Sequence, residues 1–487
     1  MYTEKLDMQT GFTFDDVLLI PAASSVEPNQ VNVKSRFSKN VNLSIPLVSA
    51  AMDTVTTSTM AIALARAGSI GVIHRNMTPE REVEEVKLVK RAGEFIERDV
   101  LTVSSDATVA DVHYLMRERN IGGLPVLEDN KIVGIVSRRD LRGIMPSRAS
   151  ENICTVMTRN PITVDASVKL ESALELMYTK KVERLPVVSE DNSLLGIITM
   201  QDLLESQQYP NANHDKDGKL RVAAAVGPFD IPRAKLLDEA GVDVIISDCA
   251  HGHNLNVVES VKKIKEAVSC DVVAGNIATA AAAEALAPYV DGLKVGIGPG
   301  SICTTRVVAG VGVPQITAIS SVAEVASRYN VPVIADGGIR YSGDVAKAIA
   351  AGADCVMLGS LFAGTDEAPG RVISIQGRKY KQYRGMGSLG AMTGGHSSDR
   401  YFQKNIGQNK YVPEGIEGAT PYVGTVSEVI YQLIGGLKSA MGYTGSATIR
   451  DLKENAKFIR ITAAGQIESH PHDILITDEA PNYRISK

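Results

Sequence analysis

Residues 295–306 read VGIGPGSICTTR and place a thiol, Cys303, at the end of a glycine-rich loop. This cysteine could be a packing residue, a metal ligand or a nucleophile. Glycines let the backbone approach an anion closely, and successive N–H groups together with Arg306 would favour the thiolate. The segment is too polar for a core, so we interpret Cys303 as a nucleophile. In contrast, Cys154, Cys270 and Cys355 lie in or beside apolar strands and are interpreted as packing residues.

Two short stretches contain possible metal ligands. DCAHGHN (248–254) offers Cys249, His251 and His253, and SHPHD (469–473) offers His470 and His472. Neither stretch has the ligand spacing of a zinc site, and no second motif supports them. The spacing therefore does not favour a transition-metal site.

The stretch GMGSLG (385–390) formally matches the GxGxxG pattern of dinucleotide-binding folds. It follows KYKQYR, which does not read as a buried strand, and no βαβ unit surrounds it. We therefore reject a Rossmann site here, although the glycines could still wrap a ligand.

Composition excludes several classes of function. The 487 residues carry a net charge of -5 and no Trp, which argues against nucleic-acid binding and against a polybasic membrane surface. The N-terminus MYTEKLDMQT contains acids and no apolar core, so it does not read as a signal peptide. No apolar run reaches the ~18 residues of a spanning helix. Five scattered cysteines are typical of reduced thiols, so we expect a cytoplasmic protein.

Eight short apolar runs alternate with helical patterns. They cover residues 45–50, 69–73, 221–226, 242–247, 271–275, 291–296, 331–336 and 354–359. Such runs indicate a parallel sheet covered by helices, and eight of them fit a (β/α)8 barrel, the TIM barrel, better than an open sheet. Thr279, Ser320 and Ser342 are predicted to begin three of the helices.

Polar residues and glycines cluster directly after the predicted strands. Asp248, Asn276, the loop 298–306, Asp336 and Gly359 all follow a strand. In barrel enzymes the site is built from these loops, and phosphate commonly binds after strands 7 and 8. The sequences ADGGI and LGS occupy those two places, so a phosphate-bearing ligand is expected there.

More than a hundred residues interrupt the barrel pattern, and they contain an internal repeat. Residues 99–141 align with residues 160–203, including LPV with LPV and GIV with GII. We predict an inserted domain at 94–208, with repeats at about 94–150 and 154–208, between barrel segments 1–93 and 209–487. The repeat resembles a tandem pair of cystathionine-β-synthase (CBS) modules, also called a Bateman domain. A second long segment, 377–425, shows little periodicity and is predicted to be a flap over the barrel mouth.

The order GIGPGSICTTR, ADGGI, LGS, YRGMGS and DRYFQ on a barrel resembles the inosine-5'-monophosphate (IMP) dehydrogenase family. The resemblance covers essentially the whole chain. It implies NAD-dependent oxidation of IMP to xanthosine monophosphate (XMP), the committed step of guanine nucleotide synthesis. In that reaction Cys303 attacks carbon 2 of the hypoxanthine ring, hydride passes to NAD, and water hydrolyses the covalent thioimidate.

The resemblance also implies roles for individual residues. Catalysis falls to Cys303, Arg400, Tyr401 and Thr305, with either Arg400 or a relay through Thr305 as the base that activates water. The IMP-binding residues would be Ser301, Asp336, Gly337, Gly338, Gly359, Ser360, Tyr383, Arg384, Gly385, Met386, Gly387 and Glu414. The NAD-binding residues would be Asp248, Gly296, Ile297 and Gly298.

A monovalent cation, with potassium expected, belongs to the same implied site. Its ligands would be carbonyls of Gly298, Gly300 and Cys303, completed by Glu468, Ser469 and His470 of a neighbouring subunit. This arrangement implies a homotetramer, which could pair into an octamer.

Two alternative functions stay open from the sequence. GMP reductase shares the barrel, the thiol loop and the phosphate site, but it generally lacks both the CBS insertion and the Arg-Tyr flap. A nucleotide-sensing regulatory protein with an inactive barrel is the other alternative. The stretches SRRD (137–140) and TMQD (199–202) of the CBS pair could bind the ribose of a purine nucleotide, ATP or GTP, or the insertion could be purely structural.

Overall fold

The computed structural model describes residues 8–93, 96–98, 100–143, 147–394, 397–403, 407–478 and 480–483. The chain divides into two compact units, one made of Met1–Gly93 and Asn211–Lys487 and the other of Glu94–Pro210. Within the described residues, no helix combines the length and apolarity needed to cross a membrane.

The larger unit contains the predicted closed barrel of eight parallel strands. The strands are β1 Leu47–Ser49, β2 Ile70–Ile73, β3 Ala223–Val226, β4 Val244–Asp248, β5 Asp271–Ile277, β6 Gly292–Val295, β7 Val333–Asp336 and β8 Cys355–Leu358. Neighbours in the chain are neighbours in the barrel, and β8 pairs with β1 to close it. The prediction of a (β/α)8 barrel is therefore confirmed. Six strands fall within the apolar run that indicated them, and β4 and β5 extend one and two residues beyond theirs.

Eight helices follow the strands on the outside of the barrel. They are α1 Ser58–Arg66, α2 Pro79–Arg91, α3 Ile231–Glu239, α4 Leu255–Ala267, α5 Ala280–Leu286, α6 Gln315–Arg328, α7 Ser342–Ala350 and α8 Val426–Thr444. Thr279 caps α5 as predicted, because its side chain accepts a hydrogen bond from the N–H of Ala282.

Of the other two predicted helix starts, Ser320 differs from the structure and Ser342 agrees with it. Ser320 lies inside α6, which begins five residues earlier, directly after Pro314. The buried residues Gln315 and Ile316 extend the inward face of that helix towards its N-terminus, so packing starts the helix before the serine. The helix α7 begins at Ser342 itself, with Tyr341 in the capping position.

The core of the barrel has two layers. Inside the barrel, Val48, Val72, Ile246, Ile334 and Cys355 belong to one buried cluster. A larger cluster lies between the strands and the helices. Since both faces of each strand are covered, the strands read as almost continuous apolar runs, which is why the sequence located them.

The predicted flap region contains more regular structure than its sequence indicates. Strands at Val372–Ile375, Arg378–Arg384 and Glu417–Pro421 form an antiparallel sheet. The interpretation of KYKQYR as no buried strand was wrong, since Lys381 and Tyr383 are buried. The Lys381 ammonium is satisfied there by the carbonyls of Thr365 at 2.7 Å and of Ala368. Because this sheet is antiparallel, the rejection of a Rossmann unit at 385–390 stands.

Short elements complete the larger unit. The two-stranded sheets are Val17–Leu19 with Phe458–Arg460 and Ser35–Arg36 with Asn42–Leu43. Short helices lie at Thr305–Val308, Ser360–Ala363, Leu389–Thr393, Ile449–Asn455 and Ala463–Glu468. Single turns of 3-10 helix lie at Phe14–Asp16, Ala287–Tyr289, Ser398–Tyr401 and Gln408–Lys410.

The smaller unit contains two copies of one arrangement. The first copy has strands Val103–Ser104, Gly123–Glu128 and Lys131–Ser137, with helices Val109–Glu118 and Arg138–Leu141. The second copy has strands Val164–Asp165, Arg184–Val188 and Leu194–Thr199, with helices Leu170–Lys180 and Met200–Gln208. A 3-10 turn at Ile153–Thr155 and a strand at Thr158–Arg159 lie between them. Equivalent positions form the two cores, for example Met116 and Leu124 in one and Met177 and Leu185 in the other.

Candidate active site

A cavity of about 360 Å³ lies at the carboxyl ends of the barrel strands. The loops after β1, β4, β6, β7 and β8 contribute to its wall, together with residues of the flap region. This is the end of a (β/α)8 barrel at which catalytic sites are built.

The loop after β6 carries Cys303 into this cavity. Gly298 has a φ of +78°, and a Cβ there would lie 2.6 Å from the side chain of Arg306, so the loop requires glycine at this position. The Arg306 guanidinium donates to the carbonyls of Ile297 at 3.1 Å and Val313 at 2.6 Å, which fixes the two arms of the loop. The role of Arg306 visible here is therefore structural support of the loop.

The thiol of Cys303 has a hydroxyl neighbour. Its Sγ lies 3.1 Å from Oγ1 of Thr305, and its N–H donates to the carbonyl of Gly300 at 3.1 Å. The thiol loop is joined to the end of the flap region, because Cys303 forms a backbone bridge with Gly415 and Thr304 donates to the carbonyl of Glu414 at 2.9 Å. A thiol, a hydroxyl and a carboxylate-bearing segment therefore lie side by side.

A buried lysine connects three of the barrel loops. Lys294 of β6 is 3% exposed and donates to Asp248 at 3.1 Å, to Asp336 at 2.8 Å and to Asn276. Asn276 also donates to Asp336 at 2.9 Å. Sequence reasoning missed Lys294, although a lysine between Leu293 and Val295 in a predicted buried strand was a visible signal. These contacts fix the Asp336 carboxylate at the cavity wall.

The loop after β8 and the strand Arg378–Arg384 form the opposite wall. Gly359 and Ser360 line the cavity, and Tyr383 reaches them, since a Cβ on Gly359 would lie 2.8 Å from its hydroxyl. Burial raises the pKa of the Tyr383 phenol, so this group is a neutral hydrogen-bonding hydroxyl. Its Oη lies 3.8 Å from the sulfur of Met52, a second lining residue that sequence reasoning missed.

The flap residues Arg400 and Tyr401 line the same cavity. Arg400 forms an ion pair with Asp248 at the end of β4, and its carbonyl accepts from the N–H of Ala250 at 3.1 Å. Burial is the main cause that lowers the pKa of the Arg400 guanidinium, and the positive charge of Arg75 acts in the same direction. Burial raises the pKa of Tyr401, which Arg400 opposes. A cation whose protonated form is disfavoured thus faces the thiol cavity.

Three other cysteines have environments that do not favour the thiolate. Burial raises the pKa of Cys249, of Cys270 and, furthest, of Cys355. His251 and His253 have ring centroids 6.4 Å apart. In the part of the chain that the structure describes, no three His, Cys, Asp or Glu side chains are grouped closely enough to hold a metal ion.

Comparison with known proteins agrees with this geometry. A family model described as the IMP dehydrogenase / GMP reductase domain matches residues 11–472. The chain belongs to the IMP dehydrogenase / GMP reductase family. The inosine-5'-monophosphate dehydrogenase of Methanocaldococcus jannaschii is 56% identical, with 100% of both chains covered. That of Halobacterium salinarum is 54% identical over 99% of this chain and 97% of the relative.

A solved structure from the other branch of the family is also similar. A variant of the Trypanosoma brucei GMP reductase in complex with guanosine 5'-monophosphate superposes with a TM-score of 0.87 and 40% identity. It covers 97% of this chain and 100% of the reductase chain. An insertion of this length therefore also occurs in a GMP reductase, so its presence alone does not separate the two activities. The higher identity to the dehydrogenases favours that branch.

Most of the residues expected from the family resemblance line this one cavity. They are Asp248, Gly296, Ile297, Gly298, Gly300, Ser301, Cys303, Thr305, Asp336, Gly337, Gly338, Gly359, Ser360, Tyr383, Gly385, Met386, Gly387, Arg400, Tyr401 and Glu414. Arg384 is not among the lining residues. Its guanidinium instead binds the carboxylate of Asp53, with the shortest contact at 2.6 Å, because alternate residues of a strand face opposite sides.

The expected cation ligands from the C-terminal segment also lie outside the cavity lining of the same chain. Glu468 ends the helix Ala463–Glu468, and Ser469 donates to the carbonyl of Gly465 at 2.7 Å. The ring of His470 lies 3.0 Å from the hydroxyl of Tyr483 and packs against Tyr341. Their role was assigned to a neighbouring subunit, so their position within one chain does not test it.

In the inserted unit, Ser137 and Asp140 are paired with each other. The Ser137 hydroxyl and N–H both donate to the Asp140 carboxylate, at 2.8 and 2.7 Å. These contacts form the capping box of the helix Arg138–Leu141. The side chain of Asp202 in the second stretch lies outside the described residues.

Proposed function

We propose that the chain is an IMP dehydrogenase that converts IMP, NAD and water into XMP, NADH and a proton. One observation carries the proposal: a single cavity holds the Cys303 thiol, the Asp336 carboxylate and the flap residues Arg400 and Tyr401. The thiol supplies the nucleophile and the carboxylate a ribose ligand. The flap supplies the groups for a hydrolytic second step, which distinguishes a dehydrogenase from a reductase.

The IMP site is formed by three loops. Asp336 accepts hydrogen bonds from the ribose diol, because Lys294 and Asn276 hold it in place through Oδ2. The phosphate lies at Gly359 and Ser360 after β8, the common phosphate position of these barrels. The base lies at Met386 and Glu414, with carbon 2 over the sulfur of Cys303. Ser301, Gly337, Gly338, Tyr383, Gly385 and Gly387 complete the contacts.

The NAD site adjoins the thiol loop. Asp248, Gly296, Ile297 and Gly298 line the part of the cavity beside Cys303, so a nicotinamide ring can stack on the purine there. NAD, when bound, accepts the hydride that leaves carbon 2. The carboxylate of Asp248 is engaged by Lys294 and Arg400, so release of Arg400 frees it for the dinucleotide.

Cys303 forms a bond to carbon 2 and remains attached after the hydride has left. A covalent intermediate splits one difficult step into two easier ones. Arg400, in its neutral form, then takes a proton from the attacking water and becomes a guanidinium. Burial favours that neutral form, since it lowers the pKa of Arg400. Thr305, whose Oγ1 lies 3.1 Å from the sulfur, is the alternative proton acceptor.

A monovalent cation site completes the thiol loop. Backbone carbonyls of Gly298, Gly300 and Cys303 provide oxygen ligands of the type that potassium takes. Glu468, Ser469 and His470 come from a neighbouring subunit, which makes the protein a homotetramer. Residues 94–208 form a CBS pair that binds ATP or GTP and regulates the enzyme. The protein acts in the cytoplasm.

The experiment that tests the function measures NADH formation from IMP and NAD in potassium buffer. We expect activity in the wild type, no activity in Cys303→Ala and normal activity in Cys270→Ala, a matched thiol outside the cavity. Consumption of NADPH with GMP instead would make the protein the reductase. Inactivity in both assays, with ATP or GTP bound at residues 94–208, would favour the regulatory alternative.

A further inference from the structure

The flap carries two adjacent residues of opposite charge, and each forms an ion pair with the barrel. Asp399 Oδ1 lies 2.6 Å from Nη2 of Arg75, two residues after β2. Arg400 pairs with Asp248 at the end of β4. The barrel cation Arg75 thus meets the flap anion Asp399, and the barrel anion Asp248 meets the flap cation Arg400. Arg75 has no role in the function proposed above.

Arg75 is held rigidly on the barrel side. It is 4% exposed, and its carbonyl accepts from Nη1 of Arg233 at 2.8 Å. Arg233, on α3, is itself buried and paired with Glu82 of α2 at 2.8 Å. Two barrel helices therefore fix the position from which Arg75 reaches the flap.

The barrel leaves space for this contact. A Cβ added at Gly227, directly after β3, would lie 2.7 Å from Oδ2 of Asp399 and 3.3 Å from Nη1 of Arg75. The φ of Gly227 is not in the left-handed region. The contact between Arg75 and Asp399 therefore depends on the absence of a side chain at Gly227, and not on the backbone freedom of a glycine.

We propose that Arg75 and Asp399 form a clasp that positions Arg400 over the covalent intermediate, so that both are positioning residues for hydrolysis. This inference rests on the proposed function. Asp399 and Arg400 share a peptide bond, so the contact that holds Asp399 also restricts the position of Arg400. The N–H of Ala250 donates to the Arg400 carbonyl at 3.1 Å and fixes the backbone on the other side of Arg400. Arg75 also places a second positive charge near Arg400, which disfavours protonated Arg400.

The clasp has a specific kinetic consequence. Hydride transfer requires the Cys303 thiol and the residues proposed to bind IMP and NAD, which line the cavity, whereas Arg75 and Asp399 lie outside the cavity lining. Hydrolysis requires Arg400 in place. Loss of the clasp must therefore slow the second step and leave the first unchanged, so that the covalent adduct accumulates.

The test uses the full-length enzyme with Asp399→Asn, Arg75→Met, the double variant and Arg75→Lys. The matched control is Lys265→Met, which removes an ion pair of 2.6 Å with Asp291 away from the cavity. Rapid mixing gives the rate of the first NADH, steady-state assays give turnover, and intact mass gives the fraction of enzyme that carries the adduct. Thermal melting confirms that each variant is folded.

We expect turnover to fall by about tenfold or more in both single variants, with the first NADH within about twofold of wild type. The double variant should be no slower than the slower single variant, since the two residues act through one contact. Arg75→Lys should recover part of the loss, and the adduct should accumulate in all variants except the control.

Three results would overturn the clasp: unchanged turnover, an equal fall of the first NADH and of turnover, or additive effects in the double variant. Each is distinct from failure of the proposed function, in which the wild type itself forms no NADH from IMP and NAD. If Arg75→Met does not fold, Asp399→Asn and Arg75→Lys decide the matter alone, because both retain the size and polarity of the original side chains.

Discussion

The ammonium of Lys294 lies 2.8 Å from the carboxylate of Asp336, across two neighbouring barrel strands. The same ammonium lies 3.1 Å from Asp248, whose other carboxylate oxygen pairs with Arg400. One buried cation therefore joins the carboxylate proposed for the ribose to the carboxylate that receives the flap. The proposed ribose ligand Asp336 and the contact between Asp248 and Arg400 are therefore linked through a single side chain.

Replacement of Lys294 by Met should impair the positioning of both Asp336 and Asp248. Removing one member of a buried charge pair costs roughly 3–5 kcal/mol, because the partner stays buried without compensation. We expect a lower Tm and a lower kcat/KM for IMP, measured by thermal melting and by NADH formation. Lys294→Arg retains the positive charge and should recover part of both. Wild-type kcat/KM in Lys294→Met would show that Asp336 does not depend on the lysine.

Arg400→Gln separates the two candidate bases. If Arg400 accepts the proton from water, hydrolysis should slow by about a hundredfold or more, the usual contribution of a general base, while hydride transfer is retained. Rapid-mixing and steady-state NADH measurements resolve the two steps. Thr305→Val is the comparison, because it removes the hydroxyl 3.1 Å from the Cys303 sulfur. Unchanged hydrolysis in Arg400→Gln with a large loss in Thr305→Val would assign the proton to the threonine relay.

The barrel was predictable because burial of both strand faces leaves a local record in the sequence. The runs around β4 and β7 are largely apolar, and each ends in or is followed by polar or glycine residues. The position of Cys303 at the cavity was predictable for the same reason, since a polar glycine-rich loop after a buried strand marks the catalytic end of the barrel.

Other parts of the site depend on contacts that no local pattern records. Lys294 appeared as one polar residue in an apolar run, and only barrel closure gives it three partners from β4, β5 and β7. Arg75 and Asp399 are more than three hundred residues apart in sequence. Arg384 was assigned to the IMP site by its motif. Because successive side chains of a strand point to opposite faces, Arg384 points away from the face of Tyr383 and binds Asp53.

Gly387 provides a steric test of the position of Tyr401. A Cβ at this glycine would lie 2.7 Å from Cζ and 2.8 Å from the hydroxyl of Tyr401, so Gly387→Ala must displace the ring. Small misplacements of catalytic groups cost up to about a hundredfold in rate. We expect slower hydrolysis in steady-state assays. Gly418→Ala is the control, since a Cβ there meets nothing within 4 Å. Equal rates in the two variants would place Tyr401 outside the hydrolytic step.

His74, which directly precedes Arg75 in the loop after β2, gives the stability of the barrel a defined pH dependence. Burial lowers its pKa from 6.5 to about 4, opposed by the carboxylates of Asp53 and Glu85. The unfolded chain binds this proton first as pH falls, so the histidine contributes stability above pH 6.5 that is lost as pH falls towards about 4. The shift corresponds to about 3 kcal/mol.

The expected result is a steeper fall of the free energy of unfolding between pH 6.5 and 4 in the wild type than in His74→Asn. Urea unfolding at a series of pH values measures it, and the variant serves as the baseline for the carboxylates that titrate in both proteins. Since the imidazole Nδ1 accepts from the N–H of Asn76 at 3.1 Å, the neutral ring is the form that the fold stabilises. Parallel pH profiles for the two proteins would mean that His74 is protonated in the folded state at its ordinary pKa.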